Sequence, residues 1–310
     1  MSPTDPRVLA AHGDPALLLR QLGRCPVHVA DDGSYVVARP DDVDDVLGRP
    51  SATISFVPDP GDAISGMQAL MARFSDGEDH RRRRALTEEV IAWIDPGRVR
   101  SASGACVDAA LGGGGTIDLA PLARRVPVEV LAEALGLDDV PTVVQAIDLL
   151  CRRLAPMLGP VTRPDDATVC EALTAAFGLL DESAVALVAV LFQAMDATAA
   201  LIAQMLVSPH APALVLTNRV TVAAMRIGGA DLRAGARIVI ALGAATAASG
   251  CDRSFGRSVH RCPGEALARA IADGFVDAVR ASGRTLADGA EDLTWETRPN
   301  LRLPAALHLR

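Results

Sequence analysis

The chemistry of this chain starts at Cys262. In the run Ser254-Phe255-Gly256-Arg257-Ser258-Val259-His260-Arg261-Cys262-Pro263-Gly264-Glu265, a glycine-bearing loop delivers one cysteine to the start of a helix. Pro263 suits the first helical position, where the N–H it lacks would go unpaired anyway. Leu267, Ile271, Phe275 and Val279 then recur every fourth residue, the pattern of an amphipathic helix. A thiol placed there meets unpaired backbone N–H groups and the positive helix end. Both favour the thiolate, the form in which sulfur binds a metal. The same position also suits a small buried apolar side chain, as which free cysteine often packs. Cys251 and His260 lie close in sequence, but the spacing matches no common zinc motif and supplies no fourth ligand.

Two other places hold residues with chemical potential. His80 and Arg84 are four apart and share one face of a helix. Two donors so arranged can hold a pair of carboxylates, whereas Arg81 to Arg83 between them read as solvated charge. An arginine run can also mark a nucleic-acid patch, but the net charge of −8 argues against that partner. Asp196 sits among alanine and leucine, where a carboxylate is costly unless it has a partner or a role.

The elements that must position these residues are mostly helical. Helices are expected over 41–47, 79–93, 99–111, 126–135, 140–157 and 168–180. A hairpin is expected over 26–38 about Asp32-Gly33, and a β-rich stretch over 218–242. The tail, 293–309, reads as extended. Residues 183–207 form a long apolar segment, roughly 38 Å at 1.5 Å per residue. Gln193, Asp196, Thr198 and Gln204 interrupt it, so a buried helix is expected rather than a membrane span. The fold class is thus mainly α with a small β-region, in one domain spanning 1–310. With aromatics at 3%, the core must be largely aliphatic. The cysteines at 25, 106, 151, 170, 251 and 262 form no Cys-x-x-Cys pair, and residues 1–14 lack the apolar run of a signal peptide. Both features point to free thiols in a cytoplasmic protein.

The loop that carries Phe255, Gly256, His260, Cys262, Gly264, Leu267, Ala268 and Arg269 resembles the haem-ligand loop of bacterial cytochrome P-450 enzymes, the haem-thiolate monooxygenases. Ser258 stands where that family usually has glycine. The resemblance implies a cytochrome P-450-like fold and haem b, with Cys262 as the axial thiolate, Phe255 and Gly264 at the cofactor and His260 on a propionate. Phe74 to Arg84 resembles the family's C-helix His-x-x-x-Arg motif, which implies propionate contacts for His80 and Arg84. Thr217-Asn218-Arg219-Val220 resembles the strand whose arginine meets a propionate. Leu191 to Thr198 resembles the I-helix, normally Ala-Gly-x-(Asp/Glu)-Thr-Thr. Here Ala194 replaces the glycine, Asp196 keeps the acid and Ala197 replaces the proton-delivering threonine. Asp196 and Thr198 are the residues implied for the distal side, although Thr198 is rotated about 100° from the threonine position.

The chain also departs from the family. After residue 207 it passes directly to the β-region, which leaves no room for J and K helices or their Glu-x-x-Arg motif. The meander before Phe255 and the F–G lid between 157 and 181 are reduced. The implied function is a monooxygenase or an atypical haem-dependent tailoring enzyme of secondary metabolism. Its partners would be a small organic substrate and a ferredoxin-type electron donor, with no nucleic acid and no membrane. The alternative is a haem-free helper that activates a partner enzyme such as a glycosyltransferase.

Overall fold

The computed structural model describes residues 27–54, 56–113, 115–158, 160–207, 212–287 and 293–310. Cys25, Pro26 and the residues read for a signal peptide lie outside them. Ten α-helices are found among the described residues. They are α1 (Pro40–Gly48), α2 (Ala63–Ala69), α3 (Gly77–Ala92), α4 (Pro96–Leu111), α5 (Leu119–Ala134), α6 (Val140–Leu154), α7 (Asp166–Phe177), α8 (Glu182–Val207), α9 (Leu242–Ser249) and α10 (Glu265–Ala281). Nine short strands accompany them: β1 (Val27–Val29), β2 (Tyr35–Val37), β3 (Ala52–Thr53), β4 (Ile117–Asp118), β5 (Thr217–Thr221), β6 (Met225–Ile227), β7 (Ala230–Leu232), β8 (Arg237–Ile240) and β9 (His308–Leu309).

The apolar segment becomes α8, around which α3, α5, α6 and α10 pack. It is long and apolar enough to cross a membrane, yet 67% of its most apolar stretch is buried inside the fold. Its neighbours bring aliphatic faces to it, and the core gathers residues such as Leu131, Ile147, Leu191 and Phe275. Helices α4 and α10 approach unusually closely, because a Cβ on Gly274 would lie 2.1 Å from the Arg100 carbonyl oxygen. Ser103 donates to the Ile271 carbonyl across the same contact at 2.9 Å.

The β-region is a five-stranded sheet in the order β1-β2-β8-β5-β3, antiparallel except for the β2–β8 pair. Its alternation of buried residues faces two smaller cores. Val37, Ile238 and Ile240 join α1 on one side, and Val36, Val239 and Val215 join on the other.

Several elements differ from the sequence expectation. Helix α5 begins seven residues before the expected 126, at Leu119, and runs through Pro127. The Asp118 side chain caps it by accepting from Ala120 N–H at 3.0 Å. Packing of Leu119, Leu122 and Val126 outweighs the hydrogen bond that Pro127 cannot give. Helix α2 arises within the Gly/Pro-rich stretch because the Asp62 carboxylate caps it, accepting from Ser65 N–H at 2.8 Å. Helix α9 falls where no helix was expected. Pro263 is not the first helical residue: α10 starts at Glu265 with Gly264 as its N-cap, and the turn at 263–264 precedes it.

Candidate functional site

The loop that presents Cys262 is closed by its own backbone. Cys262 N–H donates to the Phe255 carbonyl at 2.8 Å, Gly256 N–H to Arg253 at 3.0 Å and Arg261 N–H to Ser258 at 3.1 Å. Gly256 has φ +67°, and a Cβ there would sit 3.2 Å from the His260 carbonyl oxygen, so glycine is required. Ser258 has φ +58°, the left-handed region, at the position where the resembling family carries glycine. The Arg269 guanidinium stacks 4.4 Å from the Phe255 ring centroid and ties the loop to α10.

Helix-end activation of the thiol is outweighed in this structure. Burial pushes the Cys262 thiol up; the Gly264 N–H, Arg84 and Arg73 oppose it, and Glu265 adds to it. The reason is burial, which disfavours the charged form more than the Gly264 N–H and the nearby arginines favour it.

Around the sulfur the structure collects a predominantly basic group. His80, on the first turn of α3, packs its ring 4.2 Å from that of His260. His260 Nε2 lies 3.0 Å from Asp76 Oδ1, and the other Asp76 oxygen accepts from Ile54 N–H at 2.5 Å. Asp76 therefore leaves the N-terminus of α3 without a side-chain cap. Burial holds both imidazoles below their ordinary pKa; each also feels the other basic groups, while Asp76 opposes. Arg219, on β5, is only 7% exposed and donates to the neighbouring Asn218 carbonyl at 2.8 Å. Burial pulls its pKa down, Asp76 raises it, and Arg73 lowers it further. Arg73 is reached by water yet surrounded by protein, and burial pulls its pKa down while Cys262 opposes.

His80, His260 and Asp76 thus come together with Arg219 in electrostatic reach, while Arg73 and Arg84 are the cations that act on Cys262. Arg84 takes a different task, donating to the Arg261 carbonyl at 2.6 Å and to Glu88 at 2.6 Å. It braces the residue before the cysteine. Arg83 is not solvated as expected: it is half-buried and donates to the Ala69 carbonyl at 2.6 Å and to Glu182 at 3.3 Å. Sequence reasoning missed Arg73 and gave no role to Asp76. The position of Asp76 just before α3 was the available signal; nothing in the spacing pointed to Arg73.

Asp196 belongs to a separate cluster. One oxygen accepts from Arg298 Nη1 at 2.5 Å, and the other lies 3.0 Å from Arg124 Nε, off the line of a hydrogen bond. Arg298 also pairs with Glu296 at 2.5 Å. The carboxylate therefore links α8 to α5 and to the C-terminal segment. Burial works against the charge on Arg298, but Asp196 and Glu296 outweigh it and raise its pKa. Thr198 is buried two residues further on.

No protein-family model and no curated protein matches this sequence. Solved structures do. The P450 RauA, complexed with a biosynthetic intermediate of aurachin RE, is 18% identical, with a TM-score of 0.78 and 96% of each chain covered. CYP164A2 of Mycobacterium smegmatis is 20% identical, with a TM-score of 0.72 and 98% of each chain covered. CxnD, a cytochrome P450 for C–S bond formation in chuangxinmycin biosynthesis, is 17% identical, with a TM-score of 0.72, covering 95% of this chain and 93% of its own. The chain has the cytochrome P450 fold.

Proposed function

We propose that this protein is a haem-thiolate oxidoreductase acting on a small organic substrate, with Cys262 as the axial ligand. The observation that carries the reading is the buried guanidinium of Arg219, with the exposed Arg73 within its electrostatic reach. No carboxylate of the described residues stands within ion-pair distance of either. A buried cation without a counter-ion calls for an anion. A porphyrin brings two propionates to such groups and a metal to the sulfur, so the donor set fits haem b.

His80, His260, Arg219 and Arg73 would hold the propionates. Arg84 would hold the loop carbonyl beside Cys262, with Phe255 and Gly264 fixing the loop and the helix start. When bound, haem supplies the redox chemistry that activates oxygen or peroxide, and an axial thiolate donates electron density toward the iron. Cys262 must lose its proton to ligate. The Gly264 N–H, Arg84 and Arg73 stabilise the resulting anion. Both Asp196 oxygens are engaged by guanidinium groups, and Ala197 brings no hydroxyl. Thr198 is the hydroxyl that remains on this stretch of α8. This arrangement favours peroxide-driven oxidation or a haem-dependent rearrangement over chemistry that needs a threonine proton relay at 197. The biosynthetic settings of RauA and CxnD support a substrate of secondary metabolism, and a ferredoxin-type protein is the donor if electrons are needed.

Reduction of the purified protein under carbon monoxide tests the reading. A red-shifted, thiolate-type Soret band is expected, and Cys262→Ala should abolish it while helicity persists. A folded protein that takes up no haem would overturn it in favour of the second reading, a haem-free helper of a partner enzyme such as a glycosyltransferase. One observation favours that reading: burial pushes the Cys262 thiol up, against the anion a metal would need.

A further inference from the structure

The loop that presents Cys262 is held from an unexpected side. Arg253, three residues before Gly256, is 4% exposed, and its guanidinium is fully engaged. Nε and Nη2 donate to the two oxygens of Asp44 at 2.8 and 2.9 Å, a bidentate pair. Nη1 donates to Ser249 Oγ at 2.7 Å and to the Cys251 carbonyl at 2.8 Å. One side chain therefore joins α1, the end of α9 and the start of the cysteine loop. Arg257, half-exposed, adds a second contact to Asp44 at 3.0 Å. Helix α1 is itself fixed, because Val43, Val46 and Leu47 are buried against the sheet core.

The connection to the sulfur is short. Arg253 O accepts from Gly256 N–H, and Phe255 O, two residues on from Arg253, accepts from Cys262 N–H. Residues 212–216, which lead from α8 towards β5, carry no helix that could brace the loop. The structure assigns Asp44 and Arg253 as positioning residues: their bidentate pair, buried on the arginine side and anchored on α1, fixes the loop that presents the Cys262 sulfur. The fork geometry matters, since lysine cannot reproduce two parallel bonds to one carboxylate. This inference rests on the proposed role of Cys262 but is readable without any cofactor.

The test is iodoacetamide labelling of the native, haem-free protein, with each cysteine followed by peptide mass spectrometry. Cys151, fully buried beside α8, serves as the clock for global opening. In Asp44→Asn and Arg253→Lys the Cys262 rate, relative to that of Cys151, should rise about tenfold, as expected when one partner of a buried pair is lost and the local segment opens. Arg257→Gln, which leaves the bidentate pair intact, and Val143→Ala, a core truncation on α6, should keep that ratio within about twofold of wild type. A ratio that stays at the wild-type value in Asp44→Asn and Arg253→Lys, or rises equally in Val143→Ala, overturns the assignment. Haem reconstitution is read separately: loss of the thiolate-type Soret band in Asp44→Asn, with the band retained in Val143→Ala, supports it. Absence of haem from every variant would count against the cofactor reading and leave the labelling result standing.

Discussion

Replacing Asp196 probes what the acid on α8 is for. Its carboxylate faces Arg298, whose side chain is 5% exposed, and Arg124. Removing one member of a buried pair costs about 3–5 kcal/mol, because the partner keeps its charge without compensation. Here the lower end applies. Arg298 retains Glu296 at 2.5 Å, and Arg124 retains Asp148 at 3.5 Å and Glu296 at 3.8 Å. Asp196→Asn should therefore destabilise the fold by about 3 kcal/mol, or lower Tm by roughly 6 °C at about 2 °C per kcal/mol for a chain of this size. Replacing both Asp196 and Arg298 with apolar residues of similar volume (Asp196→Leu with Arg298→Met) should cost less than the sum of the single changes, since no orphaned charge remains between them. Thermal and denaturant unfolding of wild type, Asp196→Asn and the three members of the Leu/Met cycle measures this. A loss below about 1 kcal/mol for Asp196→Asn, or strict additivity in the cycle, would refute the anchoring role and return Asp196 to the distal chemistry.

Three further outcomes are expected. Ser258→Gly should stabilise the protein by about 1 kcal/mol by relieving the left-handed φ of +58°, and an unchanged denaturation midpoint would contradict it. Gly274→Ala forces a Cβ onto the Arg100 carbonyl, so it should cost about 3 kcal/mol or more through separation of α4 from α10, measured by denaturant unfolding. Because burial holds His80 and His260 below their ordinary pKa of 6.5, the native state prefers neutral rings while the unfolded chain takes up protons. Their contribution is complete above pH 6.5 and is lost as pH falls below it towards the folded values. The melting curve from pH 8 to 5 should flatten in His80→Gln, and an identical slope would exclude this origin.

Much of the molecule was legible because its signals are local. The 3.6 periodicity of residues 267–279 and the long, polar-interrupted apolar run of α8 leave few alternatives, and Asp32-Gly33 marks its turn. The loop residues Phe255, Gly256 and Cys262 could be read together since they lie within eight positions. What escaped was set by distant partners. Asp62, which caps α2, is also held by Arg153 at 2.8 Å from far along the chain, and the start of α5 depends on Asp118, whose other contact, Leu307 N–H at 2.8 Å, comes from the far end of the chain. Asp196 looked like a lone acid because Arg298 lies a hundred residues away in sequence. The Asp44–Arg253 pair was invisible for the same reason: ion pairs leave no periodic trace. The helix-start argument for Cys262 failed more subtly. The helix starts two residues later than expected, and burial of the sulfur outweighs the donors and cations that favour its anion.

The parallel β2–β8 pair has a consequence for how the chain acquires its shape. Strand 35–37 emerges early from the ribosome, yet its neighbour in the sheet, 237–240, is made only after α3 to α8. Such non-local pairing slows folding, and the early hairpin must wait with an unpaired edge. Helix α1 packs on that late sheet, so the anchor for the cysteine loop is seated among the last parts to form. Under the proposed haem-binding function, cofactor capture would therefore follow the seating of this anchor, at the end of folding.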